Sequence, residues 1–166
     1  MPEALSGDPV ERVRERFPDQ VLGTAAHAGQ RAVLVRRDRV LEILRMLRDE
    51  AGFDVLADLT AVDYLDRGQP ERFCVVYNLH SLGTGARTRV KAFVPEADPV
   101  IDSASGLWKA APWAEREVYD LFGIRFRGHP DLKRILLPES YEGHPLRKDY
   151  PLRGRGERGN FPRYAP

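Results

Sequence analysis

The chain of 166 residues has a single cysteine, Cys74. An internal disulfide is therefore impossible, and a thiolate cluster site for zinc or iron–sulfur cannot be built by this chain alone. A reducing, cytosolic setting is the expectation. Long apolar runs are missing as well: nothing approaches the roughly eighteen consecutive apolar residues a membrane-spanning helix needs. The N-terminal "MPEALSGDPVERVRERF" lacks a basic region followed by an apolar block, so no signal peptide is expected. Neither GxxxxGK[ST] nor GxGxxG occurs, which leaves no motif for ATP, FMN or NAD. There is no GxSxG, and Cys74 lies inside a strand pattern, where a small buried hydrophobe is the simpler reading.

What is present suits one water-soluble domain: 42% apolar residues, 31% charged, net charge +1. The charge is unevenly spread. Residues 1–124 hold sixteen Lys/Arg against twenty Asp/Glu, whereas residues 125–155 hold eight against four. An acidic body thus carries a basic arm, and six of the thirteen prolines fall in the last 42 residues.

Along the body, "DPVERVRERFPDQ" reads as a short helix with Asp8 as cap, Pro9 in its first turn and Pro18 as its stop. Two apolar runs, "VLGTAAHA" and "RAVLVR", predict a hairpin turning at Gly29-Gln30. Residues 39–53 form an amphipathic helix, with Val40, Ile43, Leu44 and Leu47 on one face and Gly52 at its end. Three strands follow, in "DVLADLTAVDYL", "RFCVVYNLHSL" and "ARTRVKAFV", the last two joined by Gly83-Thr84-Gly85. A helical region over 99–122, broken near Pro112, closes at Gly123. This order predicts an α+β two-layer domain with a mixed or mostly antiparallel sheet, body 1–122. An extended proline-rich arm over 123–152 and a tail over 153–166 complete the expected organisation, with no regular structure past Gly123.

Three places could carry chemistry. His129 and His144, with Asp131, Glu142 and Asp149, could offer metal ligands. Each histidine precedes a proline, Pro130 and Pro145, which holds the backbone extended, so hydrogen bonding within turns is the preferred reading and no metal is expected. Glu115, Glu117 and Asp120 on one helix resemble paired carboxylates for acid–base work. With Arg116 between them, a solvated or partner-facing helix side explains them more simply. Basic and aromatic residues of the arm could track nucleic acid, but four interspersed acids and the acidic body oppose that. A binding arm remains: prolines lower the entropy lost on docking, and Leu132, Ile135, Leu136, Leu137, Tyr141, Leu146 and Tyr150 would be exposed without a partner.

The segment "EREVYDLFGIRFRGHPDLKRILLPESYEGHPLRKDYPL", residues 115–152, closely resembles the signature of the 30-kDa subunit family, the C subunits of proton-pumping NADH:quinone oxidoreductase (respiratory complex I). "DLTAVDYLDR" and "RFCVVYNLHSL" resemble upstream strands of that family, with departures at Lys133 and Ser140-Tyr141. The resemblance implies a bacterial, unfused subunit with no catalytic centre and no cofactor of its own. FMN, iron–sulfur clusters, NADH and quinone would belong to neighbouring chains of the assembled complex. Partners would be the quinone-site (49-kDa-type) subunit and the iron–sulfur subunits of the hydrophilic arm. The hetero-oligomeric complex would sit peripherally on the cytoplasmic side of the membrane, without nucleic acid. The expected partner interface comprises Glu115, Arg116, Glu117 and Asp120, then the first Gly-His-Pro with Asp131 (Gly128, His129, Pro130), then Arg134 and Leu136. It continues through Gly143, His144, Pro145 and Leu146 to Arg147, Lys148, Asp149 and Tyr150. Arg134, Arg147 and Lys148 are expected to meet partner carboxylates, and Leu136, Leu146 and Tyr150 to fill partner pockets. A homologous subunit of a membrane-bound hydrogenase or other-donor quinone reductase, a free-standing RNA- or metal-binding module, and an independent hydrolase are the alternatives.

Overall fold

The computed structural model describes residues 7–156. The first helix, α1 (Pro9–Arg16), starts where expected: the Asp8 carboxylate accepts from the Val10 amide at 2.9 Å and Pro9 occupies the first turn. Strands β1 (Val21–His27) and β2 (Gln30–Arg36) form the expected hairpin. Its turn is one residue earlier than expected, at Ala28-Gly29, with both residues at positive φ (49° and 75°) and His27 paired with Gln30. Such a two-residue turn matches the right-handed strand twist.

Helix α2 (Val40–Asp49) buries Val40, Ile43, Leu44 and Leu47 as its periodicity requires, and Met46 beside them. Strands β3 (Val55–Asp63), β4 (Phe73–His80) and β5 (Arg87–Val94) complete a five-stranded sheet of order β1-β2-β5-β4-β3. The β2–β5 pair is parallel and the other pairs antiparallel, so the sheet is mixed. Phe73, Val75, Tyr77 and Leu79 of β4 and Val90, Ala92 and Val94 of β5 share one core with the apolar faces of all three helices. Cys74, Val76 and Phe93, on the alternate phase, form a smaller cluster on the other side.

The span 99–122 departs from expectation. Residues Val100–Asp102 form a strand, β6, and only Ala111–Phe122 is helical (α3), with Pro112 in the first turn and Gly123 closing it at φ 75°. Nor does regular structure stop at Gly123: Arg125–Arg127 is a strand, β7, running parallel to β6. The pair forms because Ile101 and Phe126, in register, are both buried against the core. It brackets α3, so α3 leaves and re-enters the same small sheet.

Candidate partner-docking surface

Helix α3 buries two of the three carboxylates that were expected on its outer side. Glu115 and Asp120 are fully buried, whereas Glu117 is exposed. The reading of a solvated or partner-facing acidic side is corrected for the first two. Glu115 reaches back to the loop after β6, accepting from the Ser103 hydroxyl and the Ala104 amide, both at 2.6 Å. Burial raises its pKa above the usual carboxylate range, against those two hydrogen bonds and the nearby His129 ring.

Asp120 faces the arm. Its Oδ2 accepts from three successive amides, Ile135 at 3.0 Å, Leu136 at 2.7 Å and Leu137 at 2.9 Å, while Oδ1 accepts from the Arg134 guanidinium at 2.7 Å. Burial alone would raise this carboxyl, but the amides and the guanidinium together hold it below its ordinary value. Successive amides converging on one anion make a backbone nest, and here the anion is the chain's own side chain.

The arm also closes the C-terminal end of α3. A helix leaves its last carbonyls without intrahelical donors. The Tyr119 carbonyl takes the Gly123 amide. The Asp120 carbonyl takes Arg134 at 3.1 Å and the His144 ring at 2.9 Å. The Leu121 carbonyl takes the Leu146 amide at 3.1 Å, and the Phe122 carbonyl takes Arg147 Nε at 2.6 Å. Two guanidinium groups thereby meet the negative end of the helix dipole. Burial lowers the His144 pKa, which favours the neutral ring, and its Nδ1 donates to the Asp120 carbonyl.

Other contacts bind the arm along its length. Arg116 donates to the Lys133 and Arg134 carbonyls and lies 5.4 Å from the centre of the Trp113 ring. The buried His129 ring accepts the Asp131 amide on Nδ1 and pairs Nε2 with the Pro112 carbonyl, both at 3.0 Å. The His129 ring thus hydrogen-bonds a turn of the arm, whereas the His144 ring bonds the end of α3, which corrects the turn reading for the second histidine. Gly128 and Pro130, on either side of His129, are exposed, and Asp131 pairs with Lys133 at 2.7 Å. Gly143, at φ 106°, passes close beneath the Tyr150 ring, whose hydroxyl meets that of Tyr141 at 2.6 Å.

The far end of the arm is pinned by Arg72 at the start of β4. This buried guanidinium makes two bonds to Asp63 at 2.9 and 3.0 Å, one to Asp149 at 2.8 Å, and one to Glu96. The Lys148 amide donates to Asp63 Oδ2 at 2.8 Å, leaving the Lys148 side chain outside. Arg147 lies over the Phe73 ring at 5.1 Å. Arg134 is therefore engaged by the body's own Asp120, which corrects its expected pairing with a partner carboxylate. Asp63 and Arg72 were missed in the sequence. The signal was there: period two puts Asp63 on the inner face with Leu59 and Ala61, where a carboxylate requires a buried cation.

Left facing water are Trp113, Leu136 and Leu146, with relative exposures of 62%, 61% and 49%, and beside them Ile135 and half-buried Pro145. Among the described residues, no three His, Cys, Asp or Glu side chains cluster as a metal site would need. What the arrangement offers is an arm held from within by hydrogen bonds and ion pairs, with apolar groups pointing outward.

The family model described as "Respiratory-chain NADH dehydrogenase, 30 Kd subunit" matches residues 33–156. The protein is 50% identical over 145 residues to the NADH-quinone oxidoreductase C subunit of Citrifermentans bemidjiense, covering 87% of this chain and 89% of the relative. It is 50% identical over 147 residues to the like-named protein of Geobacter metallireducens, covering 89% and 90%. A solved trypsin-resistant fragment (1–134) of Nqo5 superposes with a TM-score of 0.67 at 41% identity, over 75% of this chain and all of the fragment. A chain of an archaeal membrane-bound sulfane sulfur reductase superposes with a TM-score of 0.72 at 25% identity, over 86% of this chain and 84% of that one. The signature segment and the α+β fold agree with these matches: the chain belongs to the 30-kDa subunit family of the respiratory-chain NADH dehydrogenase.

Proposed function

We propose that this chain is a structural subunit, without redox chemistry of its own, in the hydrophilic arm of an NADH:quinone oxidoreductase. The observation that carries this reading is half-identity, over 87–89% of this chain, to proteins named as the C subunit of that enzyme. The site supports it, because Asp120, Arg134, Asp63 and Arg72 are engaged in holding the arm while Trp113, Leu136 and Leu146 face out. Electrons would pass from NADH through FMN and iron–sulfur clusters to quinone in neighbouring chains, coupled to proton translocation. The docking partners would be the quinone-site subunit and adjacent iron–sulfur subunits. Among the described residues no helix is long and apolar enough to cross a membrane; attachment to the cytoplasmic face would come through those partners.

The test is a gentle-detergent purification of the tagged full chain and of a chain cut after Gly128, from native membranes. The cut spares β7, whose Phe126 belongs to the core. The fragment structure of the relative shows that in that protein a body portion stands as a unit. The full chain should bring down iron–sulfur, FMN and membrane subunits with NADH-dependent quinone reduction, and the cut chain should not. Equal recovery by the cut chain would refute the arm's role. The sulfur-reductase likeness supports a second reading, a sister complex with another donor or acceptor. Co-purified subunits that are inactive with NADH but active with hydrogen or a polysulfide would select it.

A further inference from the structure

An arm that ordered only on a partner would leave its polar backbone to water in the lone chain. This one does not. Between residues 134 and 148, the amides of Ile135, Leu136, Leu137, Leu146 and Lys148 all end on atoms of the body. We propose that the arm is pre-set in the unassembled chain, seated on the C-terminal end of α3 by Asp120 and pinned at its far end by Arg72.

Two features make Asp120 and Arg72 positioning residues of different rank. The inner seat is dry: the Asp120 side chain is fully buried and that of Arg134 is 15% exposed. The outer pin is half wet, with Asp149 at 51% and Glu96 at 59%, although Arg72 itself is buried. Water and salt screen the outer pin and leave the inner seat almost untouched. Opening therefore runs from the far end inward: residues 148–150 lift first, while 134–147 move with α3, to whose Phe122 carbonyl Arg147 is bonded. Arg116 adds a third hold, fixing the 133–134 carbonyls beside Trp113. Preorganisation of this kind reduces the ordering cost of association.

The advantage for docking rests on the assembly reading above, whereas the seating itself does not, so the two fail separately. Amide hydrogen exchange on the isolated full-length chain is the measurement. Hydrogen bonds to a charged acceptor should slow Ile135, Leu136 and Leu137 by about ten- to a hundredfold relative to an unstructured peptide. Asp149→Asn should speed exchange at Lys148 and leave the three seat amides slow; Asp120→Asn and Arg134→Gln should each speed the seat amides. Wild-type seat amides exchanging at the unstructured rate would overturn the proposal, with no variant needed. Seat amides that open together with Lys148 in Asp149→Asn would overturn the inward order. Protected amides in a chain that recovers no partners would leave the seat standing and sink the assembly reading.

Discussion

Gly123 has two reasons to be glycine. Its φ of 75° lies in the left-handed region, and a Cβ there would sit 2.6 Å from both the His144 ring and the Arg147 guanidinium. Gly123→Ala should therefore cost about 1–2 kcal/mol from backbone conformation alone. It should also push the 144–147 segment off the helix end. Urea melts together with exchange at the Leu146 amide would show both effects; an unchanged midpoint would contradict the close packing. The carboxylates that hold the arm and the buried Glu115 make an opposite pair of predictions in pH. Asp63, Asp120 and Asp149 have lowered pKa values in the fold, so their stabilisation is full above the unfolded value of about 4 and is lost as pH falls through the folded values. Glu115 is raised, so its contribution is full below its unfolded value and is lost as pH rises through the folded one. Denaturant midpoints across pH 3 to 8 should fall on the acid side, and Glu115→Gln should flatten the decline on the other side. A wild-type acid limb no steeper than that of Asp120→Asn would show that Asp120 is not the group responsible.

At the scale of elements, α3 and the arm make one unit although the sequence shows them as two. The amphipathic periods of α2 and of the β4 and β5 strands were legible because each buries residues at its own fixed spacing. Strand β6 was not. Its three residues are held by β7, more than twenty positions away, so no local period betrays it and the span reads as helix. Glu115 and Asp120 were misread for a related reason. A charged residue on a helix looks solvated when its donors lie in loops eleven to seventeen positions off, as Ala104 and Leu137 do. The arm was singled out by its prolines and leucines, but its attachment depends on Asp63 and Arg72, which lie far back in the chain. The surface that remains is testable at this scale. Trp113→Ser and Leu136→Ser remove exposed side chains, so stability should change by no more than about 0.5 kcal/mol. Recovery of partner proteins should fall, most sharply with Trp113→Ser, because Trp is enriched among the few anchors that carry most interface energy. Melting and pull-down on the same preparations separate the two; retained recovery with both variants would place the interface elsewhere.

For the molecule as a whole, the arm sets a limit on what its own mutations can do. A chain whose arm has lifted is a state open to every arm variant, and in it Asp120 faces water rather than a dry void. Burying that carboxylate without Arg134 would cost several kcal/mol if the arm were forced to stay. It is not forced: the arm peels away, and the loss stops at the free energy that seats the arm on the body. Arg134→Met, Gly143→Ala and Asp149→Asn should therefore lower the melting temperature by different amounts, yet none below that of the chain cut after Gly128. Gly143→Ala belongs in the series because a Cβ there would lie 2.9 Å from the Tyr150 ring. Body substitutions such as Tyr77→Ala escape the limit, since the Tyr77 side chain is fully buried in the main core and its loss costs about 3–5 kcal/mol whether the arm is seated or not. Thermal melts of the three arm variants beside the cut chain decide the point. Convergence on a common floor would mean that body and arm are separable cooperative units. A single arm variant melting below the cut chain would mean that the arm cannot lift without unfolding the body, and that the two form one domain.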